Sequence, residues 1–203
     1  MTTPVSAETA DLTPESRPLA RVPAASAWWV LIAGVIGFVA SMTLTVEKIE
    51  LLLNPSYVPS CNINPIVSCG SVMVTPQASV LGFPNPLLGL VGFTVVIVTG
   101  VLAVTKVPLP QWYWAGLMVG VLIGTVFVHW LIFQSLYRIG ALCPYCMVVW
   151  AVTISLLVVV ATIAFRPPRV LYHWRWSIAI LWFTAVFLLI MVRFWNYWST
   201  LLT

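Results

Sequence analysis

The run Gly140-Ala141-Leu142-Cys143-Pro144-Tyr145-Cys146-Met147-Val148-Val149-Trp150 decides how the chain is read. It closes a polar gap, with Arg138 just upstream, and opens a long apolar stretch. Proline at the second position of a Cys-x-x-Cys reads as the first residue of a helix, where its missing N–H leaves no bond unmade. Cys143 then falls near the N-cap and Cys146 one turn in, on about the same face. A thiol there feels the positive end of the helix dipole, so its pKa is expected to fall and its thiolate to become available. Such a pair can make and break a disulfide. Two blander readings stand beside this one. The cysteines could be inert residues packing a helix end, or a metal-binding pair, although no His or acidic residue lies near in sequence to complete a metal site.

Working outward, the chain has 203 residues, of which 61% are hydrophobic and 7% charged, with a mean hydropathy of +1.04. That composition implies membrane-spanning helices. The net charge of +4 is small and scattered, which argues for membrane orientation and against nucleic-acid binding. The four cysteines fall into two close pairs, as expected for redox chemistry or stapling.

Residues 1–26 are rich in Thr, Pro, Ser and Ala and read as a disordered cytoplasmic tail. The apolar run behind them is too long and too far from the N-terminus for an ordinary signal peptide. A first span is expected from about Trp28 to Val46, with Glu47, Lys48 and Glu50 marking the exit to water. Leu51 to Leu53 continue along the membrane surface until Asn54-Pro55 breaks the helix. The stretch from Asn54 to Phe83 is the one long loop; it carries Cys61 and Cys69, with a turn at Asn64-Pro65. Its apolar residues read as a cap lying against the membrane. Loops of this length are usually functional.

Phe83-Pro84-Asn85-Pro86 starts a second span, to about Val104, with Asn85 as the N-cap and Pro86 the first helical residue. A tight turn at Lys106 leads to a third span, about Trp112 to Leu136. The Cys143/Cys146 motif opens the fourth, to about Phe165. Arg166-Pro167-Pro168-Arg169 and His173-Trp174-Arg175-Trp176 read as a basic, aromatic turn before a fifth span, about Ser177 to Trp195. The fold expected is an all-α integral membrane protein of five transmembrane helices, with no internal repeat. Residues 27–166 form a four-helix core with an outer capping loop, 47–85, and residues 167–203 the basic turn and one extra helix.

A cytoplasmic N-terminus puts six basic residues (Arg17, Arg21, Lys106, Arg166, Arg169, Arg175) inside and three (Lys48, Arg138, Arg193) outside, as the positive-inside rule favours. Both cysteine pairs then lie at the outer face of the cell membrane, where disulfides persist. An even number of spans separates the pairs, so they share a side in either orientation. Two dithiol pairs at one face can exchange two electrons per step. Cys61 is expected as the exposed loop sulfur that a soluble partner attacks. The helix-start pair, held at the bilayer, needs a lipid-soluble acceptor, and a quinone suits it; no haem or flavin motif is present.

Cys61-x7-Cys69, Asn85-Pro86-Leu87-Leu88-Gly89 at a helix start and Cys143-Pro144-Tyr145-Cys146, in that order, resemble the vitamin K epoxide reductase family, its bacterial homologues above all. The resemblance covers about residues 28–165. It implies a four-helix bundle around a quinone of the vitamin K type, menaquinone, with Cys146 facing it. It further implies that Cys143 receives electrons from Cys69, and that Cys61 exchanges with a thioredoxin-fold, DsbA-like protein. Asn85 matches the asparagine that bonds a quinone carbonyl. Thr75 stands about where relatives carry a serine, and Trp150 where the animal enzyme has a pocket tyrosine. Many bacterial relatives carry a fused thioredoxin-like domain after the fifth span; here the partner is expected to be a separate protein.

The competing reading is a non-enzymatic metal-handling or structural membrane protein with two stabilising disulfides. DsbB-type enzymes carry their two pairs in the opposite order. His129, roughly 20 Å down its helix from Cys143 at 1.5 Å per residue, is expected to pack or to bond between helices, as is Gln134.

Overall fold

The computed structural model describes residues 20, 22–165 and 169–202. The expected tail up to residue 19, residue 21 and Arg166-Pro167-Pro168 lie outside them. Among the described residues seven α-helices follow one another: α1 (Ala24–Leu53), α2 (Cys69–Met73), α3 (Pro86–Val104), α4 (Gln111–Phe133), α5 (Pro144–Phe165), α6 (Arg169–Arg193) and α7 (Trp195–Leu202). A 3-10 turn, Pro76–Ser79, lies between α2 and α3, and α4 runs on into a π-helical segment, Gln134–Ile139. Among the described residues there is no sheet, only one isolated parallel bridge between Val67 and Leu142.

Among the described residues five helical stretches are long and apolar enough to cross a membrane: Ala24–Leu53, Pro86–Val104, Gln111–Ile139, Pro144–Phe165 and Tyr172–Arg193. The protein is therefore an all-α membrane protein. Proline fixes several of the starts. Pro86 and Pro144 are first helical residues, and Pro23 and Pro110 stand immediately before α1 and α4. After α3, Lys106 takes a left-handed conformation (φ 60°), with Lys106 N–H donating to Ala103 O and Val107 N–H to Leu102 O. This is a Schellman stop built without glycine.

The first helix starts earlier than the expected span and ends, as expected, at Asn54-Pro55. It begins at Ala24 and runs unbroken to Leu53. At 1.5 Å per residue it is about 45 Å long, against a hydrocarbon layer of about 30 Å. Its last turns carry the cap, through the bonds of Glu47 to Tyr57 and of Lys48 to Met73 O. The basic aromatic stretch His173–Trp176 is also not a turn, but part of α6. No Gly or Pro interrupts residues 169–193, and the Arg175 guanidinium lies 3.6 Å over the Tyr172 ring one turn earlier.

Helix α1 packs against α3 and α5, and α4 packs against α5. The α1–α3 crossing is close because glycines line it. At Gly100 an added Cβ would come within 2.6 Å of Leu31 Cα, and at Gly37 within 2.3 Å of the Phe93 ring. One core cluster fills this region, with Val30, Val96, Trp114, Leu156 and Val160 among its members. Helix α6 lies outside, mostly exposed along its length.

The crossing makes a prediction. Gly100→Ala forces a methyl against Leu31 backbone, which cannot yield as a side chain would, and is expected to cost about 1–3 kcal/mol. Gly92→Ala, with nothing within 4 Å of the new Cβ, is expected to leave stability unchanged. Thermal unfolding of the detergent-solubilised variants checks both.

Candidate active site

The site forms where the cap meets the start of α5. After α1 the chain folds back along a series of side-chain to backbone bonds. Asn64 Oδ1 accepts from the N–H groups of Ile66 (3.0 Å) and Val67 (2.7 Å), which makes the turn expected at Asn64-Pro65. Asn62 Oδ1 accepts from Ser68 Oγ and Gly70 N–H. Ser68 caps α2 by accepting from Ser71 N–H. Cys69 is thereby fixed as the first residue of α2.

The strand-like segment before it pairs with the stretch leading into α5. Leu142 N–H donates to Ile66 O at 2.7 Å, and Ser68 N–H donates to Leu142 O at 2.8 Å. The residues after these two bonds are Cys69 and Cys143. Their Sγ atoms lie 3.0 Å apart. Cys61 and Cys69 are joined in a disulfide, and Cys143 and Cys146 are free thiols. Met147 N–H bonds Cys143 O, so Cys143 sits at the mouth of α5 as its sequence suggests. Hydrogen bonding from the Cys146 thiol, helped by the N–H groups of Cys146 and Tyr145, holds the Cys143 thiol below its usual pKa; burial and the Glu47 charge oppose this.

The sulfurs of Cys61, Cys69 and Cys143 all lie within 4.8 Å of one another. Cys61 and Cys69, bonded to each other, offer no thiolate, so in this redox state the trio cannot act as a metal site. In this state one pair is a disulfide and the other a dithiol.

Cys61 departs from expectation. It is only 5% exposed. The cause is Glu47, which stands on the buried face of α1 rather than at an exit to water and is 6% exposed. Its carboxylate accepts from Tyr57 Oη at 3.0 Å, from Ser60 N–H at 3.3 Å and from the Ser60 hydroxyl. These bonds draw the segment before Cys61 onto the helix. They also hold the Tyr57 phenol above its usual pKa. Lys48, the next residue, donates to Met73 O at 2.7 Å and lines the cavity described below. Sequence reasoning missed both residues. Counting back in helical steps from Glu47 to Leu44 and Ala40, both buried, would have placed it inward.

Below the cysteines a cavity of 570 Å³ opens among α1, α3, α4 and α5. Cys143, Cys146, Asn85, Trp150 and Gln134 all line it. The volume is that of a small-molecule pocket, and its walls are largely apolar. The Trp150 indole N–H is buried without a partner. An apolar chamber with dithiol sulfurs at one end and a few polar groups in its walls fits a quinone ring.

Asn85 stands at the N-cap position expected, but its side chain does not cap the helix. Its backbone is already helical (φ −54°, ψ −33°). Oδ1 accepts from Val80 N–H at 3.0 Å and Nδ2 donates to Gln77 O at 2.7 Å, which ties the 3-10 turn to α3. The second N–H of Nδ2 is not used in these bonds. Thr75 does not line the cavity; its hydroxyl donates to Val72 O at 2.7 Å. His129 joins helices as expected. Trp182 on α6 donates to His129 Nε2 at 2.9 Å, so Nδ1 carries the proton and bonds Thr125 O at 2.8 Å.

No curated protein matches the chain. The model of the vitamin K epoxide reductase family matches residues 28–161, from the start of the first span to near the end of the fourth. Those residues hold all four cysteines and the residues that line the cavity. With that match across most of its length, the chain belongs to the vitamin K epoxide reductase family, membrane oxidoreductases that couple disulfide chemistry to a quinone.

Proposed function

We propose that this protein reoxidises a separate thioredoxin-fold, DsbA-like protein at the outer face of the cell membrane and passes the electrons to a menaquinone-type quinone. The observation that carries the reading is the 3.0 Å approach of Cys69 Sγ to Cys143 Sγ, at the seam between the cap and the cavity. It rests also on the sharing of the cavity wall by Cys143, Cys146, Asn85 and Trp150.

The steps balance as thiol–disulfide exchange. A partner thiolate attacks Cys61, forms a mixed disulfide with it and releases Cys69 as a thiolate. Because Cys61 is held under the Glu47 bonds, the Tyr57–Cys61 segment must lift for this to happen. The second partner thiol then attacks its own mixed disulfide, leaving the partner oxidised and Cys61 reduced. Cys69 attacks Cys143 of the Cys143–Cys146 disulfide and Cys146 leaves. Cys61 next attacks Cys69, closing the loop disulfide and releasing Cys143. A leaving thiol of lowered pKa departs faster, which suits Cys143 to this step. The arrangement observed, a loop disulfide beside a helix-start dithiol, is the state that follows. The dithiol then loses two electrons and two protons as its own disulfide closes, and the bound quinone supplies the acceptor for them. The unused N–H of Asn85 and the indole N–H of Trp150 are the groups offered to its carbonyl oxygens. Thr75 has no part in this set.

In membranes holding the protein, a reduced thioredoxin-fold donor is expected to drive quinone reduction. Cys146→Ser is expected to abolish it even with a small-molecule dithiol, and to accumulate a Cys69–Cys143 disulfide. Cys69→Ser is expected to accumulate a mixed disulfide between Cys61 and the donor. Mass mapping decides: a Cys61–Cys143 bond as the main product, or quinone reduction without Cys146, overturns the relay.

Orientation is tested separately. An impermeant maleimide added to intact cells is expected to label a variant retaining only Cys61, and not a cysteine-free variant carrying Lys106→Cys. The reverse pattern places the site on the cytoplasmic face.

A further inference from the structure

Helix α6 touches the bundle sparsely, yet its far end meets the redox centre. Ile190 and Phe194 are buried in one cluster with Leu136, Leu142, Ile66 and Trp150. Ile66 and Leu142 are the two residues joined by the 2.7 Å backbone bond that aligns the cysteines. Arg193 Nε donates to Leu136 O at 2.9 Å. That carbonyl belongs to the π-helical segment. There Gly140 N–H reaches back five residues to Ser135 O, where an α-helix would use Leu136 O. Gly140 then turns left-handed (φ 71°) and the chain leaves for Leu142 and Cys143.

We propose that Arg193 and the apolar residues beside it brace the redox arm. They satisfy the carbonyl that the π segment leaves open and press on both partners of the bridge. The fifth span is thereby a positioning element for the Cys69–Cys143 register, and Arg193 is its positioning residue. This rests on the proposal that Cys69 and Cys143 exchange. One feature favours bracing over mere packing: Arg193 bonds the carbonyl beside the arm, whereas a further polar tie of α6 among the described residues, Trp182 to His129, lies well down the bundle from the arm.

The test uses the full-length chain with Cys61→Ser and Cys146→Ser, which leaves Cys69 and Cys143 alone. In a glutathione buffer these two thiols give two electrons and two protons to glutathione disulfide and become a disulfide, releasing two glutathiones. The equilibrium gives their effective concentration, which a loss of stability elsewhere does not move. Adding Arg193→Ala is expected to lower it about tenfold, the effect of losing one hydrogen bond from a charged donor. Arg193→Lys, which keeps a donor, is expected to restore most of it. Trp182→Phe, which cuts the other tie of the same helix, is expected to leave it unchanged. If Arg193→Ala does not fold, Arg193→Gln, with a neutral donor, takes its place and is expected to lower the effective concentration by more than Arg193→Lys but by less than about tenfold. An unchanged effective concentration in the Ala or Gln variant, or an equal fall in Trp182→Phe, overturns the brace. Failure of the parent to form the Cys69–Cys143 disulfide overturns the exchange reading instead.

Discussion

Two backbone hydrogen bonds, Leu142 N–H to Ile66 O and Ser68 N–H to Leu142 O, set the geometry of the redox centre. Each cysteine that has to meet the other is the next residue along its chain, so aligning the backbones aligns the sulfurs. Without this bridge Cys69 would be tied only within the cap and to α1, through its disulfide to Cys61, the Asn62 bonds and the Lys48 bond to Met73 O, and nothing polar among the described residues would fix it against Cys143. The bridge lies at the level where the polar cap ends and the apolar bundle begins, so its polar groups need partners there. Each supplies the other's. Ile66 and Leu142 sit at the edge of a packed cluster, which excludes water from the bonds and strengthens them.

The second constraint is the buried carboxylate of Glu47. Burying a carboxylate is costly unless donors meet it. Here the Tyr57 hydroxyl and two donors of Ser60 do so. These are also the bonds that hide Cys61. The same interactions that hold the cap in register therefore close the sulfur on which a water-borne partner would act. A cap held by several hydrogen bonds, rather than by a large apolar core, is suited to opening locally without unfolding the bundle beneath it.

The five spans and the placing of the cysteine motif were legible because their signals are local: apolar runs of the right length, and prolines that fix where helices begin. Pro86 and Pro144 sit where the sequence puts them. What failed depended on side-chain direction or on distant pairing. Asn85 precedes Pro86 and has the right residue type for a cap, but its helical backbone turns the side chain toward Gln77 and Val80. Glu47 beside Lys48 and Glu50 looks like an exit to water, and only its helical register marks it as inward. His173 to Trp176 has the composition of an interfacial turn, yet nothing in it breaks a helix. The Val67–Leu142 bridge joins segments too short to show alternation, so no pattern announces it.

The bundle has to serve two environments that share no solvent. A soluble dithiol protein meets water and cannot enter the bilayer; a quinone is confined to the bilayer and cannot reach the cap. One dithiol pair could not face both without opening the cavity to water. In the proposed relay two pairs in contact remove that conflict, because electrons would cross as a change of sulfur–sulfur bonding over the 3.0 Å between Cys69 and Cys143 while the protein between cap and cavity stays packed. Cys69 and Cys143, the two sulfurs in contact, are the most deeply buried, at 0% and 1% exposure. Cys61 on the cap side and Cys146 on the cavity side are the two left to turn outward. Burial of the inner two suits that task, since a thiolate formed there is kept from bulk water and lies beside a neighbouring sulfur.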